Sequence, residues 1–220
     1  MNKKATSTTK PTVKVIGVGC GGNNIVNHIS QSNLEGFSFV ACDMEAKVLE
    51  KSAAATTLQI GTDGLGSGNN PEKANIAAEE NTDAIKKLFD DRTSMTFVVT
   101  CLGGGCGTGA APVIARESKK LGITTVAFAT LPFELEGERR FSQASEGIQN
   151  LARNTDAIFL LNNQYIKTQY CDLPINQAFE KADDLLMEVT KSLIRAMTEP
   201  QQTTMKTSRI KAFFKRLKCK

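Results

Sequence analysis

The segment Gly103-Gly104-Gly105-Cys106-Gly107-Thr108-Gly109 carries five glycines in seven positions. Without side chains in the way, its N–H groups can converge on one point. A strand-like run, Thr96-Phe97-Val98-Val99-Thr100-Cys101-Leu102, leads into it. A helical run, Ala110-Ala111-Pro112-Val113-Ile114-Ala115, follows. N–H groups and the dipole at a helix N-terminus favour an anion, most often phosphate. The plain alternative is a tight strand-to-helix turn, for which one or two glycines suffice. A second such turn lies in Val13-Lys14-Val15-Ile16-Gly17-Val18-Gly19-Cys20-Gly21-Gly22-Asn23-Asn24. Gly17, Gly19 and Gly22 satisfy the dinucleotide pattern, and Asp43 follows about 20 residues on, where a ribose-binding acid belongs. Alone, this turn reads as the NAD site of an oxidoreductase. Two such loops favour a nucleoside triphosphate, which carries more charge than one pyrophosphate. No Gly-Lys-Ser/Thr follows either loop, so backbone amides and helix ends must do the work of the usual lysine.

The elements that position these loops alternate between strand and helix. Strands are expected at Val13–Val18, Phe37–Cys42, Thr57–Ile60, Met95–Cys101, Thr124–Ala129 and Ala157–Leu161. Helices are expected at Asn24–Gln31, Pro71–Phe89, Ala111–Leu121, Glu138–Ala152 and Ile175–Met197. Asn70-Pro71-Glu72 supplies an N-cap, a first-turn proline and an acid. The pattern implies an α/β, Rossmann-like fold, a mostly parallel sheet with helices on both faces. Ligands bind such sheets at the carboxyl ends of the strands, where both glycine loops and the polar loop Gly61–Asn70 fall.

Composition narrows the class. Six cysteines, without C-x-x-C pairs, accompany a single histidine, His28. They read as reduced thiols of a cytoplasmic protein rather than a zinc site. Residues 1–11 are polar, without a secretory signal, and are expected to be disordered. No apolar run is long enough to span a membrane. The net charge of +4 is uneven: residues 206–220 hold seven basic residues and no acid, leaving 20 Lys and Arg against 23 Asp and Glu. The main body is therefore not a nucleic-acid binder.

Several separated motifs in the right order resemble the FtsZ/tubulin family, from about Val13 to Pro200. Gly103–Gly109 with Ala110-Ala111-Pro112-Val113 is similar to its signature loop. Val15–Asn24 is similar to its first phosphate loop. Gly64-Leu65-Gly66, Asn70-Pro71-Glu72, Pro132-Phe133, Glu136-Gly137 and Arg140 also match. The resemblance implies a GTP or GDP site in a domain at 12–200. Gly19, Cys20, Gly21, Gly22, Asn23 and Asn24 would join the signature loop around the phosphates, with magnesium as the accompanying ion. Arg140 would reach phosphate and Glu136 the ribose. Asn163 and Asp184 would bind the base, and Phe179 would stack on it. A carboxylate suits guanine, whose N–H groups it accepts, and repels the adenine N1 lone pair. By residue type alone, Phe179 also fits a core, Asp184 a solvated helix face, and Glu136 with Arg140 an exposed i,i+4 pair.

The pattern has departures. Cys106 stands where the family has threonine, and Asn23 where it has a loop glycine. Asp43-Met44-Glu45 replaces an Asn-Thr-Asp turn, placing a negative charge near the phosphates. After the long helix the family has a loop with two or three acids, which completes a neighbour's GTP site on head-to-tail assembly. Here Thr204-Met205-Lys206-Thr207-Ser208-Arg209 has none, and the family's second domain is not found. The resemblance thus implies GTP binding with weak or absent hydrolysis and no catalytic acid. An active GTPase completed by a partner is the alternative. In the tail, 201–220, Ile210, Phe213, Phe214 and Leu217 form one helical face, with Lys211, Lys215, Arg216 and Lys218 around it. A basic amphipathic helix reads as a peripheral anchor on an anionic membrane. Packing of that face on the domain, or nucleic-acid binding, are the other readings. Together these features suggest a switch or assembling scaffold in division or membrane remodelling, with itself or a family member as partner.

Overall fold

A computed structural model describes residues 12–31, 36–169, 173–174, 177, 180–181, 184–185 and 187–192. Six strands form one parallel sheet: β1 (Thr12–Val18), β2 (Phe37–Asp43), β3 (Thr56–Gln59), β4 (Thr93–Cys101), β5 (Thr124–Leu131) and β6 (Ala157–Asn162). Their order is β3-β2-β1-β4-β5-β6. The order reverses between β1 and β4, which pair from Val13↔Met95 to Val18↔Thr100. The helices are α1 (Gly19–Ser30), α2 (Ala46–Glu50), α3 (Pro71–Glu80), α4 (Thr82–Lys87), α5 (Cys106–Lys120), α6 (Glu138–Arg153) and α7 (Asn163–Gln169). The chain divides into two units, Met1–Glu188 and Val189–Lys220, and in the second residues 189–192 are helical. No helix among the described residues is long and apolar enough to cross a membrane.

The central strands are buried on both faces, which is why they read as continuous apolar runs. Val15, Ile16, Phe97, Val98, Ala127 and Phe128 are fully buried. On one face Ile16, Val18, Val98 and Ala127 pack with Ala110, Ala111 and Ile114 of α5. On the other, Gly17 lies so close to α1 that an added Cβ would come 2.9 Å from Val26 Cγ2. A column of rings joins β4, β5 and β6: Phe97–Phe128 at 5.4 Å and Phe128–Phe159 at 5.1 Å. Lys14, buried within β1, pairs with Asp91 at 2.7 Å and donates to Leu88 O, which satisfies its buried ammonium.

All six expected strands are present, shifted by a residue or two. The helices differ more. α1 and α5 start about one turn earlier than expected, because both glycine loops wind directly into helix. Pro112 therefore falls inside α5 rather than at its start. The expected helix Pro71–Phe89 is two. It breaks at Asn81, whose side-chain amide donates to Ala77 O at 2.8 Å and competes with helix continuation. Short helices α2 and α7 were not expected. The N-cap reading holds: Asn70 Oδ1 accepts from Glu72 N at 2.9 Å and Lys73 N at 3.3 Å, with Pro71 at the first turn. Residues 1–11, most of the expected helix 175–197, and the tail 201–220 lie outside the described residues.

Gly109 shows why α5 needs small residues in its first turns. A Cβ there would strike Pro71 O and come 2.9 Å from Asn75 N, both main-chain atoms of α3. Gly109→Ala is expected to destabilise the fold by about 2–3 kcal/mol, since backbone cannot swing aside. A urea titration measures this, and a midpoint equal to wild type would show that α3 and α5 separate freely.

Candidate nucleotide-binding site

Both glycine loops lie at the carboxyl ends of β1 and β4, on either side of the point where strand order reverses. In open parallel sheets this is the ligand crevice. They also touch. Gly19 has φ +76°, and an added Cβ there would sit 2.8 Å from Gly107 N. α1 and α5 begin without a side-chain cap and without an acid in the first turn. Neither helix start receives a capping side chain, and the two positive ends converge.

The glycines have different tasks. A Cβ on Gly22 would strike Val99 O, and one on Gly21 the Cys101 sulfur. At Gly105 it would strike Ser67 Oγ and come 2.7 Å from Asn70 N. At Gly107 it would lie 2.5 Å from Thr100 Oγ1 and 2.8 Å from Cys101 O. These positions are small so that the loops can pack against β4, the 61–70 loop and one another. At Gly104 an added Cβ would meet nothing within 4 Å. Gly104 is thus the open wall of the cradle. Thr108 Oγ1 accepts the Gly103 N–H at 2.9 Å and closes the signature loop. Ser67 was missed from sequence, although the polar loop that carries it was placed on this side.

Asn24 and Cys20 are exposed on α1, whereas Asn23 is fully buried. The Asn23 amide bridges the end of β2. Its Nδ2 donates to Cys42 O and Asp43 Oδ2, both at 3.1 Å, and its Oδ1 accepts the Cys42 N–H at 3.2 Å. Asp43 was expected to bring charge toward phosphate, or in the NAD reading to hold a ribose. It is only 4% exposed, and its Oδ1 accepts from Met44 N at 2.8 Å and Glu45 N at 3.1 Å. The carboxylate is turned into the protein, so neither role fits. Burial raises the Asp43 carboxyl above its ordinary range, opposed by the Glu45 and Met44 N–H groups and the Cys106 thiol. Burial, then the Asp43 charge, pushes the Cys106 thiol up to about 12.

Glu136 and Arg140 form the i,i+4 pair at 3.0 Å, and Glu136 Oε1 also accepts the Phe133 N–H at 2.8 Å. The α6 first turn abuts the signature loop: a Cβ on Gly103 would lie 3.0 Å from Arg140 O. The partly exposed Arg140 therefore starts beside the cradle. Asn163 opens α7 at the end of β6. It is 5% exposed, and its Oδ1 is buried with no hydrogen-bond partner. Asp184 is half-buried on a helical stretch, with Lys181 Nζ at 3.5 Å. Phe179 lies outside the described residues. Among the described residues no three His, Cys, Asp or Glu side chains gather as a metal site. A groove of about 510 Å³ lies behind the loop, floored by Thr108, Gly109 and Pro112 and walled by Asn75, Gln143 and Asn150. Of the expected site residues it includes only Thr108 and Gly109.

Comparison with known proteins identifies the family. The family model described as "Tubulin/FtsZ family, GTPase domain" matches residues 12–171. A cell division protein FtsZ of Porphyromonas gingivalis is 41% identical over 82% of this chain and 40% of its own length. A cell division protein FtsZ 1 of Thermococcus kodakarensis is 36% identical over 97% of this chain and 58% of its own. The solved FtsZ dimer of M. jannaschii superposes with a TM-score of 0.85 at 35% identity, over 94% of this chain and 61% of that one. The chain thus spans about half the length of the curated relatives it matches. The oxidoreductase reading is overturned, both by this match and by the burial of Asp43. The chain belongs to the Tubulin/FtsZ family, through its GTPase domain.

Proposed function

We propose that the chain binds GTP or GDP at the switch point between β1 and β4 and acts as a nucleotide-dependent switch or assembling scaffold in cell division. The observation that carries this is the contact between two uncapped, glycine-built helix starts. Their N–H groups supply the donors that a polyphosphate needs without a lysine. Arg140 reaches the phosphates from α6, with Asn24 from α1, and Glu136 accepts from the ribose. Asn163 and Asp184 receive the guanine N–H groups, with Phe179 against the ring. The unpartnered Asn163 Oδ1 supports the base assignment, since a buried acceptor is normally satisfied. A magnesium ion would accompany the nucleotide and offset part of its phosphate charge.

Hydrolysis is weak in this reading, because Thr204–Arg209 offers no carboxylate to orient water in a neighbouring copy's site. The alternative is an active GTPase completed by a family partner. The basic tail places the protein peripherally on an anionic membrane from the cytoplasmic side, where each basic residue contributes about 1 kcal/mol. Base selection is tested by Asp184→Ala. Losing a guanine-specific acceptor costs on the order of 1–3 kcal/mol, so GTP affinity falls to that of ATP. Competition of GTP and ATP against a fluorescent guanine nucleotide measures it. Equal binding of both by the wild-type protein would refute the base assignment.

A further inference from the structure

The groove behind the signature loop is built from one stripe of each of three helices. Glu72 and Asn75 of α3 stand on one wall, and Gln143 and Glu146 of α6 on the other. Thr108, Pro112 and Val113 of α5, all buried, form the floor. Its volume of about 510 Å³ is that of a small-molecule site. The polar groups are one-sided. Three lining amides each spend their N–H₂ on a main-chain carbonyl: Gln143 on Asn69 O at 3.3 Å, Asn75 on Gly109 O at 3.3 Å and Asn154 on Asn150 O at 2.8 Å. Those bonds fix which way each amide points, since a flip would set two oxygens face to face. The amide oxygens are left as acceptors, and Gln143 Oε1 is buried with no partner. A buried acceptor is normally satisfied, so this one lacks a donor that a ligand can bring. On the floor, Pro112 has no N–H, so the Thr108 carbonyl lacks its i+4 donor. The Glu72 and Glu146 carboxylates make no ion pair or hydrogen bond among the described residues. Arg116, at the far end, is taken by Glu79 at 2.5 and 2.6 Å and by Glu117 at 3.0 Å.

We propose that this groove binds an aliphatic polyamine. Such a molecule carries N–H donors and positive charge, offers no acceptor once protonated, and spaces its nitrogens with methylenes. Its ammonium groups pair with Glu72 and Glu146 and donate to the amide oxygens. Its methylenes lie on Pro112 and Val113. Two carboxylates on opposite walls call for at least two ammonium groups. The acceptors are strung along the groove, and among the described residues no three His, Cys, Asp or Glu side chains gather as a metal site. Spaced N–H donors therefore match it better than one metal ion. By joining α3 to α6 across α5, the ligand braces the helix that carries the signature loop.

The test uses the full chain and spermidine at constant ionic strength, with sodium and magnesium chlorides for comparison. Calorimetry should give one spermidine per chain, and the unfolding midpoint should rise, because a ligand of the native state stabilises it. Glu72→Gln, Glu146→Gln and Gln143→Met should each weaken binding about fivefold or more. Glu80→Gln removes an exposed charge outside the groove and should bind within about twofold of wild type. In NMR spectra of the wild-type protein, spermidine should shift the side-chain amide signals of Asn75, Gln143 and Asn154. Magnesium bound as tightly as spermidine, or an equal loss in Glu80→Gln, would overturn the proposal. So would no binding at millimolar spermidine, or groove amide signals that stay in place at saturation. Should a variant fail to fold, the wild-type spectra still decide.

Discussion

Gly104→Asp is expected to weaken GTP binding at least tenfold, about 1.4 kcal/mol or more, without loss of folding. Gly104 is the one signature-loop glycine whose added Cβ would meet nothing within 4 Å. Its backbone is outside the left-handed region, so a side chain is tolerated there. A carboxylate there adds a negative charge to the signature loop, where it would repel the phosphates of the proposed ligand. Gly107→Asp would act on the same ligand less cleanly. Its Cβ would lie 2.5 Å from Thr100 Oγ1 and 2.8 Å from Cys101 O, so it would damage the loop as well. Gly104→Ala is the control, expected to bind within a few-fold of wild type. Fluorescent-GTP titration with thermal unfolding in parallel measures both effects. Unchanged affinity in folded Gly104→Asp would reject the site.

Turnover and membrane attachment carry the second large effect. In the proposed reading Thr204–Arg209, which holds two basic residues and no acid, supplies no catalytic carboxylate. GTP turnover should stay near background as protein concentration rises, whereas a site completed by a neighbour would gain activity steeply. The same stretch leads into the basic tail. Intact protein should sediment with anionic vesicles, and less so with salt, because charges are screened beyond about 8 Å at physiological ionic strength. Deleting residues 205–220 should abolish sedimentation and leave GTP affinity intact. Concentration-dependent turnover would favour the partner-completed enzyme. A folding defect after the deletion, with no vesicle binding by the intact chain, would favour the tail as packing material.

The strands and the loops were readable from sequence for the same reason. A run such as Val13–Val18 is apolar throughout because the strand is buried on both faces, and the glycines mark its abrupt end. What could not be read is how each glycine is used. Gly22 and Gly109 are small to admit Val99 and Pro71 main-chain atoms that lie far away in sequence. The helix was expected only from Ala111 because nothing local tells that Cys106 already begins it. Asp43 was misplaced for a related reason. A carboxylate at a strand end faces ligand in the dinucleotide pattern, and here the bonds to Asn23 and to the Met44 and Glu45 N–H groups turn it inward. Asn23 is a tertiary neighbour that no spacing rule exposes.

The central claim, one guanine-nucleotide site built from two touching helix starts, is tested most directly by calorimetric titration of the full chain with GTP, ATP and NAD. The account predicts one GTP per chain, ATP at least tenfold weaker, and no heat from NAD. No GTP binding, or ATP or NAD bound as tightly as GTP, would contradict it.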